Sequence, residues 1–210
     1  MRSHGEAILD LVRYYLGVAE GALRGAGGRP NRAQLVAVRR RLEVWSGGQT
    51  GVDRAALDAA LDRGLPIGGW VPRGRLAEDG QVPARYGQVR EAETPVYATR
   101  TRLNVQATDA TLVLRMGPAT GGTLETMVTA RDLDRPMLEI DLEVTDPAGA
   151  AEIVIPWLEG LFTTRSSLRL NVAGPRASQA PMSYARAKAV LDRVFAQDPL
   201  DPDEKTLRSS

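Results

Sequence analysis

Apolar positions follow two different patterns along the chain, and the change between them falls near residue 42. Residues 6–23 place apolar side chains at helical spacing around a wide stripe, so we predict a helix there. A glycine-rich break follows, and Asn31 is the predicted cap of a second, shorter helix. From Leu42 onward, short apolar runs alternate with longer helix-like segments.

This alternation predicts an α/β fold: a Rossmann-like open sheet, mainly parallel, with helices on both faces. The predicted strands span residues 42–45, 67–71, 110–114, 136–140 and 168–172. The predicted helices span residues 52–63, 101–107, 123–134, 147–158 and 184–195. We therefore expect an N-terminal helical extension in residues 1–41, a Rossmann-like ligand-binding domain in 42–196 and a flexible tail in 197–210.

Composition narrows the classes of function. The net charge of +1 over 210 residues gives no general attraction to nucleic acid or to a membrane surface. The chain has no cysteine and a single histidine, His4, which argues against disulfides, thiolate metal sites and a Ser-His-Asp triad. No apolar run reaches the ~20 residues of a membrane helix, and no signal peptide is recognisable. We expect a cytoplasmic protein without a metal site and without nucleic-acid or membrane partners.

A glycine turn between the first predicted strand and the first predicted helix is the most informative chemical pattern. Such turns let backbone N–H groups point outward at a helix N-terminus, which attracts anions and phosphate above all. A tight turn without any ligand is the alternative. Asp53 follows in the first helical turn, where it either caps the helix or contacts a ligand hydroxyl. The candidate phosphate-binding residues of this turn are Gly47, Gly48, Gln49, Thr50 and Gly51.

A second glycine turn follows the predicted strand at residues 110–114 and contains Gly121, Gly122 and Thr123. Parallel strands of an open sheet end at one edge, so both turns are expected to face the same crevice. Two such turns suit a ligand with two phosphates, or with one phosphate and a polar head group. The alternative is that the glycines only permit close packing of the helix on the sheet.

Charged residues near the two turns supply further candidates. Arg75, Glu78 and Asp79 lie in a long polar loop between the turns, and long connections in compact domains are usually functional or disordered. Arg100 precedes the second turn, and Arg176 follows the last predicted strand. Arginine forks match phosphate oxygens. The acids either hold polar groups of a ligand or neutralise the arginines.

Several of these motifs, in this order, resemble the molybdenum cofactor carrier family. The matching segments are SGGQTGVDR at residues 46–54, GW at 69–70, RGR at 73–75, AEDG at 77–80 and LNVAGPR at 170–176. The resemblance covers residues 42–195, and Val71 stands where relatives often carry a cysteine. It implies a Rossmann-like fold of the SLOG, or lysine-decarboxylase-like, superfamily, assembled as dimers or tetramers. It also implies a nucleotide-like or pterin-phosphate ligand, with molybdenum cofactor (molybdopterin) as the candidate.

The related phosphoribohydrolases test whether this chain is an enzyme. Their turn has the form Pro-Gly-Gly-x-Gly-Thr-x-x-Glu, and this chain matches it at Pro118, Gly122 and Thr123. Thr126 stands at the position of the catalytic glutamate, and Glu125 comes one residue early, which turns a helical side chain by about 100 degrees. Arg100 does fall at the position of the catalytic arginine.

The leading hypothesis is therefore a binding or carrier protein, and we assign no catalytic residue. An N-glycosidic hydrolase of nucleoside monophosphates and a sensor of a nucleotide signal are the alternatives. We also expect a homo-oligomer whose interface includes the apolar helix in residues 6–23.

Overall fold

The protein is described here by a computed structural model that covers residues 42–196. The predicted N-terminal extension, its role in an oligomer interface and the predicted tail fall outside the described residues. None of the helices within residues 42–196 has both the length and the apolar character needed to cross a membrane.

Five parallel strands form the central sheet: β1 (Leu42–Trp45), β2 (Ile67–Gly68), β7 (Ala110–Arg115), β8 (Met137–Asp141) and β9 (Leu168–Ala173). Two small strand pairs lie outside it. Strand β3 (Trp70–Val71) pairs with β6 (Arg90–Glu91), and β4 (Leu76–Ala77) forms an antiparallel hairpin with β5 (Gly80–Gln81). The helices of the described part are α1 (Val52–Asp62), α2 (Tyr97–Ala107), α3 (Gly121–Asp132), α4 (Pro147–Phe162) and α5 (Ser183–Phe195).

The predicted fold class, a Rossmann-like parallel sheet with helices, is confirmed. The order of strands is β2-β1-β9-β7-β8, which becomes the doubly wound order 3-2-1-4-5 when the strands are counted from β9. The last strand of the chain thus occupies the place of a first strand. Helices α1, α5 and α4 pack as neighbours in that order, and α2 packs against α3. The core lies between these helices and the sheet, with β7 buried from Ala110 to Leu114.

The strand predicted over residues 67–71 is divided in two. Gly69 has a φ of 137°, and a β-carbon at this position would overlap the carbonyl oxygen of Ser46. The chain therefore leaves the central sheet at Gly69, and β3 pairs with β6 instead. The polar loop that follows, predicted to be irregular, contains the β4–β5 hairpin. Helix α2 begins at Tyr97, four residues before its predicted start at Thr101, and α3 begins at Gly121.

We expect Gly69→Ala to lower the free energy of unfolding by about 3 kcal/mol or more, because a methyl group there meets backbone that has no room to move. Gly64→Ala is the matched control. Gly64 also has a positive φ, of 64°, but a β-carbon there meets nothing within 4 Å. Its substitution should cost only about 1 kcal/mol of backbone strain. Urea unfolding followed by circular dichroism measures both, and equal losses would contradict the steric explanation.

Candidate functional site

Three loops meet at the carboxyl edge of the central sheet. We call them the β1 turn (residues 46–51), the β7 turn (residues 116–120) and the β9 loop (residues 174–182). The N–H of Val52 donates to the carbonyl oxygen of Pro175 at 3.3 Å, and a β-carbon at Gly51 would overlap that same oxygen. A β-carbon at Gly174 would overlap the carbonyl oxygen of Leu114 in β7. Glycines therefore bring the three segments into backbone contact.

A small open cleft of about 100 Å³ lies between the β7 turn and the β9 loop. Its lining includes Thr120 and Thr123 on one side and Pro175 and Gln179 on the other. Strands β9 and β7 are neighbours, and the sheet continues from them in opposite directions. The cleft thus occupies the topological switch point, where open α/β sheets bind their ligands.

The N-terminus of α3 opens towards this cleft. Its N-cap residue Thr120 makes no side-chain capping bond, and the first glycines of the helix have little around them. A β-carbon at Gly122 would meet nothing within 4 Å, and one at Gly121 would meet only Gln179 Nε2 at 3.5 Å. The first N–H groups of a helix have no partner inside the helix and carry its positive dipole end. The arrangement suits an anion bound in front of Gly121 and Gly122.

Arg115, the last residue of β7, stiffens the β7 turn. Its guanidinium pairs with Glu139 and Asp141 and donates to the carbonyl oxygen of Gly117 at 2.7 Å. Asp141 in turn accepts the N–H of Gly117 at 3.0 Å. Burial opposes ionisation of Asp141, but the N–H groups of Glu143 and Gly117, together with Arg115, lower its pKa. The charge of Arg115 is thus balanced within the protein, and its role is to hold the turn.

A buried ion pair between α1 and α2 lies against the β1 turn. Arg100 Nη1 donates to Asp53 Oδ2 at 3.1 Å, with the two side chains 13% and 5% exposed. Asp53 also accepts the N–H of Gln49 at 3.2 Å. Burial raises the pKa of Asp53, and the charge of Arg100 opposes this shift. A β-carbon at Gly47 would overlap Arg100 Nη1, so Gly47 is needed to admit the guanidinium.

The other residues of the β1 turn are packed against the polar loop. Gly48 has a φ of 69°, and a β-carbon there would lie 3.0–3.1 Å from the side chains of Val71 and Val82. Gln49 Oε1 accepts the N–H of Thr50 at 3.0 Å and that of Glu78 at 2.9 Å. The turn is therefore filled by groups of the protein itself, whereas the N-terminus of α3 is open.

We define the hairpin tip as residues 77–80 of the polar loop. Two of its carboxylates bind groups in the β1 turn, in the β9 loop and at the start of α1. Glu78 accepts hydrogen bonds from the Thr50 hydroxyl, from the Ser178 hydroxyl and from the Ser178 N–H at 3.1 Å. Asp79 forms a two-pronged pair with Arg54, at 2.5 and 2.7 Å. The hydrogen bond from Arg54 lowers the pKa of Asp79.

Two groups of predicted site residues are thus assembled at this edge. The residues gathered around the β1 turn are Gly47, Gly48, Gln49, Thr50, Gly51, Asp53, Glu78, Asp79, Arg100 and Arg176. The residues at the N-terminus of α3 are Gly121, Gly122 and Thr123. Arg75 is separate from both, since its guanidinium donates to the carbonyl oxygens of Val82, Pro83 and Tyr86, each at 3.2 Å.

Sequence reasoning missed three contributors: Arg54, Ser178 and Gln179. Arg54 was part of the recognised motif, yet nothing in the motif showed that it faces Asp79. Ser178 and Gln179 follow the segment LNVAGPR at the end of β9. Their position at a strand end, at the same edge as the two glycine turns, was the signal that could have identified them.

The two ion pairs of this edge differ in burial, and their stability contributions should differ accordingly. We expect Asp53→Ala to lower the free energy of unfolding by about 3–5 kcal/mol, because it leaves Arg100 buried without a counter-charge. Asp79→Ala should cost no more than about 1 kcal/mol, because the Asp79 side chain is 47% exposed, so that water takes its place beside Arg54. Arg54 also keeps its hydrogen bond to the carbonyl oxygen of Gly48 at 3.3 Å. Urea unfolding of both variants at neutral pH measures the difference. A loss for Asp53→Ala as small as that for Asp79→Ala would show that Arg100 is not dependent on this carboxylate.

Residues 44–195 match the model of the circularly permutated YpsA SLOG family. A crystal structure from Syntrophus aciditrophicus SB, of a protein named "putative molybdenum carrier protein", is similar with a TM-score of 0.69. The two sequences are 41% identical over 75% of this chain and 96% of the other. No curated protein matches the chain. The strand order agrees with a circular permutation, since β9 takes the place of a first strand.

Proposed function

The chain belongs to the circularly permutated YpsA SLOG family, and we propose that it is a binding or carrier protein for a small phosphorylated ligand. The ligand is of the pterin or nucleotide-like kind, and molybdenum cofactor is the leading candidate. The name of the similar Syntrophus protein supports the carrier role. Assembly as a homo-oligomer in the cytoplasm stays a prediction.

The open N-terminus of α3 at the switch point is the observation that carries this proposal. It combines the positive end of a helix with two glycines that leave space for an anion, Gly121 and Gly122. The cleft beside it, of about 100 Å³, is smaller than the ~300 Å³ of typical small-molecule pockets. It therefore takes the phosphate end of the ligand, and the remainder lies over the open mouth of the cleft.

Polar groups around the cleft suit the edge of a pterin or purine ring. The amide of Gln179 and the hydroxyls of Thr120 and Thr123 offer both donors and acceptors. Arg176, in the adjoining β9 loop, has a side chain that is 45% exposed and supplies positive charge. In this proposal the chain recognises the phosphate and the ring, and a molybdenum atom is cargo carried by the ligand.

We expect Gly122→Val to abolish ligand binding without unfolding the protein, because the new side chain fills the space in front of the α3 N-terminus. Gly149→Val is the matched control. Gly149 lies in the first turn of α4, where a β-carbon would make only ordinary contacts at 3.6 Å or more. Native mass spectrometry of the three purified proteins measures the co-purified mass, and elemental analysis for molybdenum separates molybdenum cofactor from a nucleotide.

The wild type and Gly149→Val should carry the added mass, and Gly122→Val should lack it. An equal mass on all three proteins would remove the α3 N-terminus from the site. Absence of any added mass from the wild type would count against a carrier that holds its cargo tightly.

A hydrolase of nucleoside monophosphates is the second candidate, and the buried carboxylate of Asp53 is the observation that favours it. Glycosidic cleavage uses a carboxylate at the reacting carbon, and burial raises the pKa of Asp53 as it does for many catalytic acids. The related enzymes use a glutamate at the position of Thr126. Here the Thr126 hydroxyl is directed at its own helix and donates to the carbonyl oxygen of Gly122 at 2.9 Å.

We expect no release of adenine above background when the protein is incubated with adenosine monophosphate. The carboxylate of Asp53 is already bound to Arg100 and to the N–H of Gln49, and the threonine at position 126 provides no carboxylate. Chromatography of the nucleobase measures the release. Arg100→Ala and Glu125→Gln, purified identically, distinguish a true activity from a contaminant. Adenine release that Arg100→Ala removes and Glu125→Gln retains would replace the carrier with the hydrolase.

A further inference from the structure

The Glu78 carboxylate is held by the kinds of donor with which proteins bind phosphate. Its oxygens accept from two hydroxyls, of Thr50 and Ser178, and from the backbone N–H of Ser178 at 3.1 Å. Arg176 Nε lies 3.5 Å from the same carboxylate. Hydroxyls, a backbone N–H and a guanidinium together form a site selective for an oxyanion. We call Thr50, Arg176 and Ser178 the anion cradle.

The anion cradle lies at the surface, on backbone that is fixed by the contact between the β1 turn and the β9 loop. Thr50 immediately precedes Gly51, whose backbone touches Pro175, and its hydroxyl oxygen accepts the N–H of Ala177 at 3.1 Å. This bond fixes the Thr50 oxygen, so its proton is directed at the carboxylate. The Thr50 hydroxyl is therefore positioned independently of Glu78, and the backbone of Arg176 and Ser178 lies in a turn in which the N–H groups of Gln179 and Ala180 donate to the carbonyl oxygen of Arg176 at 3.0 Å.

Glu78, by contrast, comes from a small element. The β4–β5 hairpin has two residues in each strand, and Leu76 is 41% exposed. A two-stranded hairpin of this size is only marginally stable alone. Besides the strand pairing, its tip is held by Glu78 in the cradle, by the Glu78 N–H on Gln49 and by the Asp79–Arg54 pair. If the Glu78 side chain left the cradle, the tip would still be held by the Asp79–Arg54 pair and by the packing of Ala77 against the core.

The anion cradle adjoins the proposed phosphate site at the α3 N-terminus. Ser178 bonds Glu78, and the next residue, Gln179, is the nearest neighbour of Gly121. The two sites are thus built on consecutive residues of the β9 loop, whose Cα atoms lie about 3.8 Å apart.

We propose that the anion cradle is a second phosphate subsite, which Glu78 occupies as an internal anion until a ligand with two linked phosphates displaces it. This inference rests on the proposed function and narrows its ligand class to pterin or nucleotide-like molecules that carry a diphosphate, which the monophosphate molybdopterin does not. A phosphate group carries more charge than a carboxylate and has three acceptor oxygens, so it competes well for the same donors. Arg176, half exposed and 3.5 Å from Glu78, has room to close on the incoming group.

Titration calorimetry with inorganic pyrophosphate, at fixed pH and ionic strength, tests the displacement. We expect Glu78→Gln to bind pyrophosphate at least about tenfold more tightly than the wild type, because the neutral amide gives up its charge-assisted hydrogen bonds. Glu93→Gln is the matched control, since it makes the same side-chain change at an exposed carboxylate that belongs neither to the cradle nor to the hairpin. Its affinity should stay within about twofold of the wild type.

The double variant Glu78→Gln/Ser178→Ala should lose the gain in pyrophosphate affinity, because it lacks the Ser178 hydroxyl of the cradle. A Glu78→Gln affinity equal to or weaker than that of the wild type would overturn the inference. An equal gain for Glu93→Gln would do the same, because it would reduce the effect to net charge. Circular dichroism confirms that each variant is folded.

Gly122→Val separates this inference from the proposed function. If Gly122→Val weakens pyrophosphate binding while Glu78→Gln leaves the affinity unchanged, the site at the α3 N-terminus is supported and the proposal that Glu78 acts as an internal anion is wrong. If Glu78→Gln tightens binding in both the wild-type and the Gly122→Val background, and Gly122→Val itself has no effect, the cradle stands and the α3 site is wrong.

Discussion

Backbone contact between the strand ends is the constraint on which the rest of this site depends. At Gly51 the β1 turn touches the carbonyl oxygen of Pro175, and at Gly174 the β9 loop touches that of Leu114. Neither position has room for a side chain, so the loops after β1, β7 and β9 sit at one fixed separation. That separation sets the width of the cleft and the position of the anion cradle.

The charges at this edge are arranged as pairs within the protein. Arg54, Arg100, Arg115 and Arg176 each lie beside at least one carboxylate. Arg100 is buried with its partner, and Arg115 holds a turn, so neither is readily given up to a ligand. The Arg176–Glu78 pair is the loosest of the four, at 3.5 Å with the arginine half exposed. An incoming anion therefore finds its exchangeable partner there.

The sequence was sufficient to predict the fold class and the clustering of motifs, but not the reason for each glycine. Alternating strands and helices place their ends at one edge, which is why the β1 turn and the α3 N-terminus both adjoin the β9 loop. A glycine, however, shows only that a side chain is excluded. At Gly47 the excluded space belongs to Arg100, at Gly48 to two valines, and at Gly122 it is open. Only the fold distinguishes these cases, and the same holds for Arg75, whose guanidinium binds its own loop.

The same charge arrangement bears on the choice between carrier and enzyme. A glycosidase needs a carboxylate free to approach the reacting carbon, and Asp53 is instead enclosed by Arg100 and the Gln49 N–H. A carrier needs a site that exchanges one anion for another without leaving buried charges unpaired. Glu78 supplies that exchange, because it balances the cradle when the ligand leaves and moves into solvent when the ligand returns. The affinity for the cargo is then set by the difference in binding free energy between the ligand phosphate and the Glu78 carboxylate at the same donors. A small difference allows release as well as binding.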